Sequence, residues 1–169
     1  MRCFCAAENG PHQRTMEPTF EKLLVLLAEA DVQFVVVGGV AVTLNGYVRL
    51  TEDVDILLEP SRENTSRFLD AMSLYGEGFA RELSCDDFTD EEGAVRIVEE
   101  VEQCQVDVFT RMRGLHYSDL LSDAETLRIG VLEIRYASRA ALIRLKERSV
   151  REKDRLDVMA LRRIQLSGD

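Results

Sequence analysis

The hydrophobic positions of the chain are dominated by short apolar runs that predict β-strands. The first run, at residues 34–37, is continuous, which is typical of a strand buried on both faces. A second run, at residues 54–58, ends before Pro60 and predicts another strand. Similar patterns predict strands at 94–98 and 106–109 and a hairpin at 127–136 around Gly130.

Stretches with helical periodicity separate these predicted strands. The leucines between residues 23 and 27 form the apolar stripe of a helix that we expect Thr19 to cap and that ends near Ala30. The same criteria predict helices at 40–45, 61–75, 138–148 and 153–164, with Ser61 and Ser138 as caps of the second and third. This order of elements predicts an α+β fold, with a mixed β-sheet flanked by helices and a C-terminal helical pair.

The length of 169 residues favours one domain. Residues 1–17 have no apolar period and contain turn-forming residues, so we expect a disordered lead, or an upstream extension if Met16 is the true start. Residues 18–137 are then the core domain, and residues 138–169 are helices packed on the same domain. Acidic residues cluster at 86–92, where we expect a solvated loop.

The formal net charge of -10 argues against a protein that coats nucleic acid, because phosphates are neutralised by Lys and Arg. The charge is uneven, however, because residues 135–169 carry 10 basic and 5 acidic side chains. The arginines of this basic tail are Arg135, Arg139, Arg144, Arg148, Arg151, Arg155, Arg162 and Arg163. No apolar run reaches the roughly 18 to 20 residues of a membrane helix, so we expect a cytoplasmic protein without membrane contact.

Three aspartates are the candidates for metal chemistry. Asp53 and Asp55 open a predicted strand and point to the same face, about 7 Å apart along the chain. Asp107 lies inside another apolar strand, where an unpaired carboxylate is costly. If the two strands are neighbours, the carboxylates converge and suit Mg²⁺, with room for two ions. Taken alone, the Asp-x-Asp pair is weak evidence for a metal site and is more often an exposed strand edge.

The pair Gly38-Gly39 follows the first predicted strand directly. Two glycines between a strand and a helix allow the backbone to approach a phosphate closely. The pair matches neither a dinucleotide-binding fingerprint nor a P-loop, since the further glycine and the Gly-Lys-Ser/Thr sequence are missing. A simple tight turn explains the pair as well.

In this order, Gly38-Gly39, Asp53, Asp55 and Asp107 resemble the signature of the DNA polymerase β-like nucleotidyltransferase superfamily. The resemblance implies the fold of that superfamily and a reaction that transfers a nucleoside monophosphate from an NTP to an acceptor hydroxyl. It also implies two Mg²⁺ ions, or Mn²⁺, held by the three aspartates, and a phosphate cradle formed by the two glycines.

The run from Arg49 to Asp55 is similar to that of small prokaryotic AbiEii-like proteins, which include type IV toxin–antitoxin toxins. In that group a lysine after the sheet is followed by a Lys-Asp-x-x-Asp-like run, here Lys146 and then 153–157. The resemblance, which spans about residues 34–160, implies a catalytic and triphosphate-binding Lys146. The further nucleotide-binding residues that it implies are Arg49, Thr51, Lys153, Asp154 and Asp157.

The resemblance leaves the acceptor open between an RNA end and a protein hydroxyl, and it makes a cognate antitoxin a candidate partner. Two other readings of the same residues remain. One is a nucleotidyltransferase-fold module that binds NTP or a partner without catalysis. The other is a metal-dependent nuclease or phosphohydrolase, to which the glycine pair and Lys146 fit less well. A Cys/His metal site is not expected, because the four cysteines lack paired spacing.

Overall fold

The computed structural model describes residues 16–167. Within this range the strands are β1 (Phe34–Val37), β2 (Asp53–Leu58), β3 (Val95–Glu99), β4 (Cys104–Phe109), β5 (Glu125–Ile129) and β6 (Leu132–Tyr136). The α-helices are α1 (Pro18–Glu29), α2 (Gly38–Leu44), α3 (Arg62–Met72), α4 (Tyr117–Leu121), α5 (Arg139–Lys146) and α6 (Glu152–Ser167). Two short 3-10 helices, Phe79–Glu82 and Cys85–Asp87, lie between α3 and β3.

All six strands form one mixed sheet with the order β3-β4-β2-β1-β6-β5. β1 is antiparallel to β2 and parallel to β6, while β2 is parallel to β4. An antiparallel pair of strands forms each edge of the sheet, β3 with β4 at one edge and β5 with β6 at the other. The predicted α+β architecture with a mixed sheet is therefore confirmed.

The hydrophobic core lies between this sheet and the helices. All four residues of β1 are buried, as the continuous apolar run predicts. The stripe of α1 buries Leu23, Leu24 and Leu27 completely, and each such side chain contributes about 1.5–3 kcal/mol of burial free energy. Leu142 of α5 and Leu161 of α6 belong to the same core. The division of the chain at residue 137 stays a prediction.

Serine caps fix the beginnings of two helices. Ser61 Oγ accepts a hydrogen bond from the backbone N–H of Asn64, and Ser138 Oγ accepts one from Ala141. The prediction for Thr19 is wrong, because α1 begins at Pro18 with Glu17 in the N-cap position and no side-chain cap. Proline is favoured at the first helical position, because its fixed φ suits a helix and the N–H that it lacks would have no intrahelical partner there.

Other boundaries also differ from the predictions. α2 begins at the glycine pair itself, α3 ends at Met72, and α6 continues to Ser167. Part of the expected acidic loop is the 3-10 helix Cys85–Asp87. The five-residue helix α4 has no sequence prediction, because it is too short to show a period. In residues 16–167, no helix has the length and apolar character that crossing a membrane requires.

Candidate functional site

The three aspartates meet because β2 and β4 are parallel neighbours. Asp55 lies directly opposite Asp107 in the register of this pair, and Asp53 lies two residues before Asp55 on the same face. One carboxylate oxygen from each of the three residues lies within 4.8 Å of the others. Octahedral Mg²⁺ has bonds of about 2.0–2.1 Å, which places its ligand oxygens roughly 3 to 4 Å apart, so this all-oxygen donor set fits the ion.

Burial and repulsion make Asp55 an unusual carboxyl group. Its pKa rises from 3.8 to about 6, first because of burial and then because the charges of Asp53 and Asp107 are close. The ammonium group of Lys146 and a hydrogen bond from the backbone N–H of Gly39 act in the opposite direction. A site that raises the pKa of a carboxyl group in this way favours either a proton or a cation.

This raised pKa predicts that divalent metal binding weakens in mild acid. The folded protein holds the Asp55 proton more tightly than the unfolded chain does, so the metal-free fold loses stability as pH rises from 3.8 to about 6. A metal ion needs the ionised form. We therefore expect the Mn²⁺ affinity measured by calorimetry to fall about tenfold between pH 7 and pH 5. An affinity that is constant over this range would contradict the raised pKa.

The glycine pair lets side chains of β2 and of the loop before it approach the turn between β1 and α2. Gly38 has φ +62°, and a Cβ at this position would overlap the carboxylate of Asp55. A Cβ on Gly39 would lie 2.5 Å from Thr51 Oγ1. Only glycine fits both positions. Gly38 has a left-handed backbone that other residues rarely adopt, and at both positions a Cβ would occupy space that a neighbouring side chain already fills.

Lys146 lies at the end of α5 between two carboxylates of α6. Its Nζ atom is 2.6 Å from Asp154 Oδ1 and 2.9 Å from Asp157 Oδ2. The other oxygen of Asp154 accepts a hydrogen bond of 2.6 Å from Ser149 Oγ. Burial alone would raise the pKa of Asp154, but the hydrogen bonds from Lys146 and Ser149 together outweigh burial and lower that pKa. The structure therefore brings Lys146 together with both Asp154 and Asp157 of α6.

Asp157 also binds Arg49, which lies 108 residues earlier in the chain. Arg49 Nε lies 2.8 Å from Asp157 Oδ1, and Arg49 Nη2 donates a hydrogen bond of 3.1 Å to Asp157 Oδ2. Asp157 is fully buried and the Arg49 side chain is 13% exposed. Arg49 thus connects the loop before β2 to α6, and its role in nucleotide binding stays a prediction.

Thr51 and Lys153 complete the set of predicted residues. Thr51 Oγ1 donates to Asp53 Oδ1 at 3.1 Å, so it orients one of the three clustered carboxylates. Lys153 is exposed in the first turn of α6 and is not among the residues that line the cavity beside the aspartates. The structure therefore brings together every predicted site residue except Lys153.

A small cavity of about 210 Å³ opens beside Asp55. Gly38 and Lys146 line it, together with Arg113 and Arg151. The sequence patterns did not indicate Arg113, which lies in the turn after β4. The cavity is lined by three cationic side chains and three carboxylates (Asp55, Glu92 and Asp154), so it suits a polyanion once cations neutralise the aspartate cluster.

The basic tail is only partly directed at this cavity. Arg151 lines it, but Arg144 pairs with Asp123, and Arg162 pairs with Glu147. The positive charge of residues 135–169 is therefore divided between the cavity and exposed ion pairs, which contribute little to stability.

Arg96 was also not indicated by the sequence. It lies on β3 opposite Asp107, and its Nε and terminal nitrogen each donate to one carboxylate oxygen at 2.8 Å. An arginine in register with an aspartate across two antiparallel strands cannot be recognised before the strand pairing is known.

Comparison with known protein families agrees with this geometry. Residues 17–168 match a family model described as nucleotidyl transferase of unknown function (DUF2204). The chain belongs to this family. No match was found among curated proteins. Membership of a nucleotidyltransferase family supports the resemblance seen in the glycine and aspartate motifs, without distinguishing an AbiEii-like member.

Proposed function

We propose that the protein is a Mg²⁺-dependent nucleotidyltransferase that transfers a nucleoside monophosphate from an NTP to an acceptor hydroxyl. The observation that carries this proposal is the convergence of Asp53, Asp55 and Asp107 within 4.8 Å of one another, beside a cavity lined by Lys146. Membership of the family supports the reaction class, and the donor set supports the metal.

In this proposal Asp53 and Asp55 hold both metal ions, and Asp107 completes the site and binds or deprotonates the acceptor. When bound, the ions supply charge stabilisation at the attacking and leaving oxygens. The acceptor oxygen forms a bond to the α-phosphorus, the bond from that phosphorus to the departing pyrophosphate breaks, and the hydroxyl proton passes toward the Asp107 carboxylate. Thr51 keeps Asp53 oriented through its hydrogen bond.

The triphosphate would lie in the cavity between the glycine pair and Lys146. Lys146 acts as a point charge toward phosphate, and Asp154 and Asp157 hold its ammonium group in place. Arg49 acts one step further away by holding Asp157. The acceptor is an RNA end or a protein hydroxyl, and an AbiEii-like toxin with a cognate antitoxin is the biological role that fits the sequence resemblance.

The proposal is tested by incubating the protein with each α-labelled NTP, Mg²⁺ and either total RNA or total protein. We expect label to enter one of the two acceptor pools for at least one NTP, with release of pyrophosphate. A parallel reaction in EDTA should show neither. Absence of both labelling and pyrophosphate release with all four NTPs, under Mg²⁺ and under Mn²⁺, would contradict the proposal.

A non-catalytic binding module is the second candidate function. It is favoured by one observation, namely that both oxygens of Asp107 and the ammonium group of Lys146 already have partners of opposite charge. Calorimetry with each NTP and Mg²⁺, combined with a pyrophosphate assay, separates the two functions, because a binding module takes up NTP and Mg²⁺ but releases no pyrophosphate.

A further inference from the structure

Arg96 contacts the aspartate cluster from β3, whereas Lys146 lies at the end of α5. In the sheet, β1 with its glycine turn lies on one side of β2, and β4 followed by β3 lies on the other. Arg96 therefore reaches the cluster at Asp107, whereas the cavity lined by Lys146 opens beside Asp55. Its charge also acts on Asp53 and Asp55, so the guanidinium group faces the whole cluster.

The contact between Arg96 and Asp107 is a parallel two-bond pair, the strongest geometry that an arginine forms with a carboxylate. The side chain of Asp107 is 7% exposed, while that of Arg96 is 58% exposed. The arginine thus covers a nearly buried carboxylate from the solvent side and has open space into which it can move.

The same two oxygens are those that Asp107 would offer to a metal ion. A guanidinium nitrogen at 2.8 Å and a dication at about 2.1 Å from one carboxylate oxygen would lie close enough to repel each other strongly. A metal ion on Asp107 must therefore either use the remaining lone pairs of these oxygens against this repulsion or move the guanidinium group aside. Arg96 and a metal ion would therefore compete for the carboxylate of Asp107.

We propose that Arg96 is an internal counter-ion that competes with the divalent metal for Asp107. In the metal-free protein it neutralises the carboxylate and lowers repulsion among the three aspartates. Metal binding displaces its guanidinium group toward solvent, so Arg96 weakens metal binding at Asp107 relative to a site without it. The proposal rests on the metal site of the proposed function.

The test compares Mn²⁺ binding to the full chain and to Arg96→Gln, by calorimetry and by electron paramagnetic resonance of free Mn²⁺ without nucleotide. We expect the variant to bind Mn²⁺ roughly tenfold more tightly, because the substitution removes the repulsion between the guanidinium charge and the dication. The metal-free variant should melt at a lower temperature, and Mn²⁺ should raise its melting temperature by more than it raises that of the wild type.

Arg128→Gln is the matched control. Arg128 also pairs with a carboxylate directly across two antiparallel strands, Glu133, but on the hairpin at the other edge of the sheet. This control should leave Mn²⁺ affinity unchanged. Arg96→Lys keeps the charge without the two-bond geometry, so it should bind Mn²⁺ with an intermediate affinity and gives a second reading if the glutamine variant does not fold.

Equal affinity in the wild type and both variants would overturn the role of Arg96 and leave the metal site intact. Weaker binding in the variants would also overturn it, since Arg96 would then support the ligand instead of competing with the ion. If neither the wild type nor any variant binds Mn²⁺, the metal site itself fails, and the proposed function fails with it.

Discussion

Replacing Asp55 by Asn is expected to reduce NTP-dependent labelling by at least about 10³-fold, because metal ions supply several kcal/mol of charge stabilisation and each 1.36 kcal/mol is a factor of ten in rate. Asp55 is the central member of the cluster, opposite Asp107 and two residues from Asp53. Its amide replacement keeps the shape of the side chain and removes the negative charge. The rate of incorporation of α-labelled NTP measures the effect.

The same substitution is expected to preserve or raise the stability of the metal-free protein. The pKa of about 6 means that the ionised Asp55 costs the folded state up to about 3 kcal/mol at neutral pH. Removing the charge removes this cost, so the melting temperature should be unchanged or higher, and Mg²⁺ should no longer raise it.

Asp70→Asn, on the exposed side of α3, is the matched control and should change neither activity nor melting temperature. Full labelling by the Asp55→Asn variant would exclude the proposed metal chemistry. A collapse of its melting temperature would instead show that the charge of Asp55 supports the fold, contrary to its raised pKa.

Replacing Asp157 by Asn is expected to destabilise the protein by about 3–5 kcal/mol, the usual cost of removing one member of a buried ion pair. Asp157 is fully buried and binds both Arg49 and Lys146. Without the charge of Asp157, the largely buried Arg49 loses its carboxylate partner. Lys146 retains its ion pair with Asp154. Denaturant unfolding followed by circular dichroism measures the free energy.

The control for this prediction is Asp86→Asn, which breaks an ion pair with Arg62 in which both side chains are about four-fifths exposed. Exposed pairs of this kind contribute roughly 0–1 kcal/mol, so the control should unfold within that range of the wild type. If the Asp157 variant is no less stable than the Asp86 variant, the buried network does not hold α6 against the loop before β2.

Much of the fold could be predicted because its signals are local. A four-residue apolar run marked β1, and serines at the N-cap positions directly before two helices marked α3 and α5. Local signals failed where an element is too short for a period, as in α4, or where two start signals compete, as at Pro18 and Thr19. In the second case the helix begins at proline, whose fixed φ suits the first helical position and whose missing N–H would have no intrahelical partner there.

The sequence by itself determined which side chains share a face. Because strand residues alternate, Asp53 and Asp55 point to the same side, and because helix residues three apart are neighbours, Asp154 and Asp157 do as well. Both relations depend only on the geometry of a single element. They were sufficient to indicate a carboxylate site and a charged helix face.

Only the tertiary structure decided which of these faces meet. The parallel pairing of β2 with β4 places Asp107 level with Asp55, and the antiparallel pairing of β3 places Arg96 on Asp107. The contact of Arg49 with Asp157 spans 108 residues. Register and long-range ion pairs depend on how whole elements pack, and no local period in the sequence carries that information.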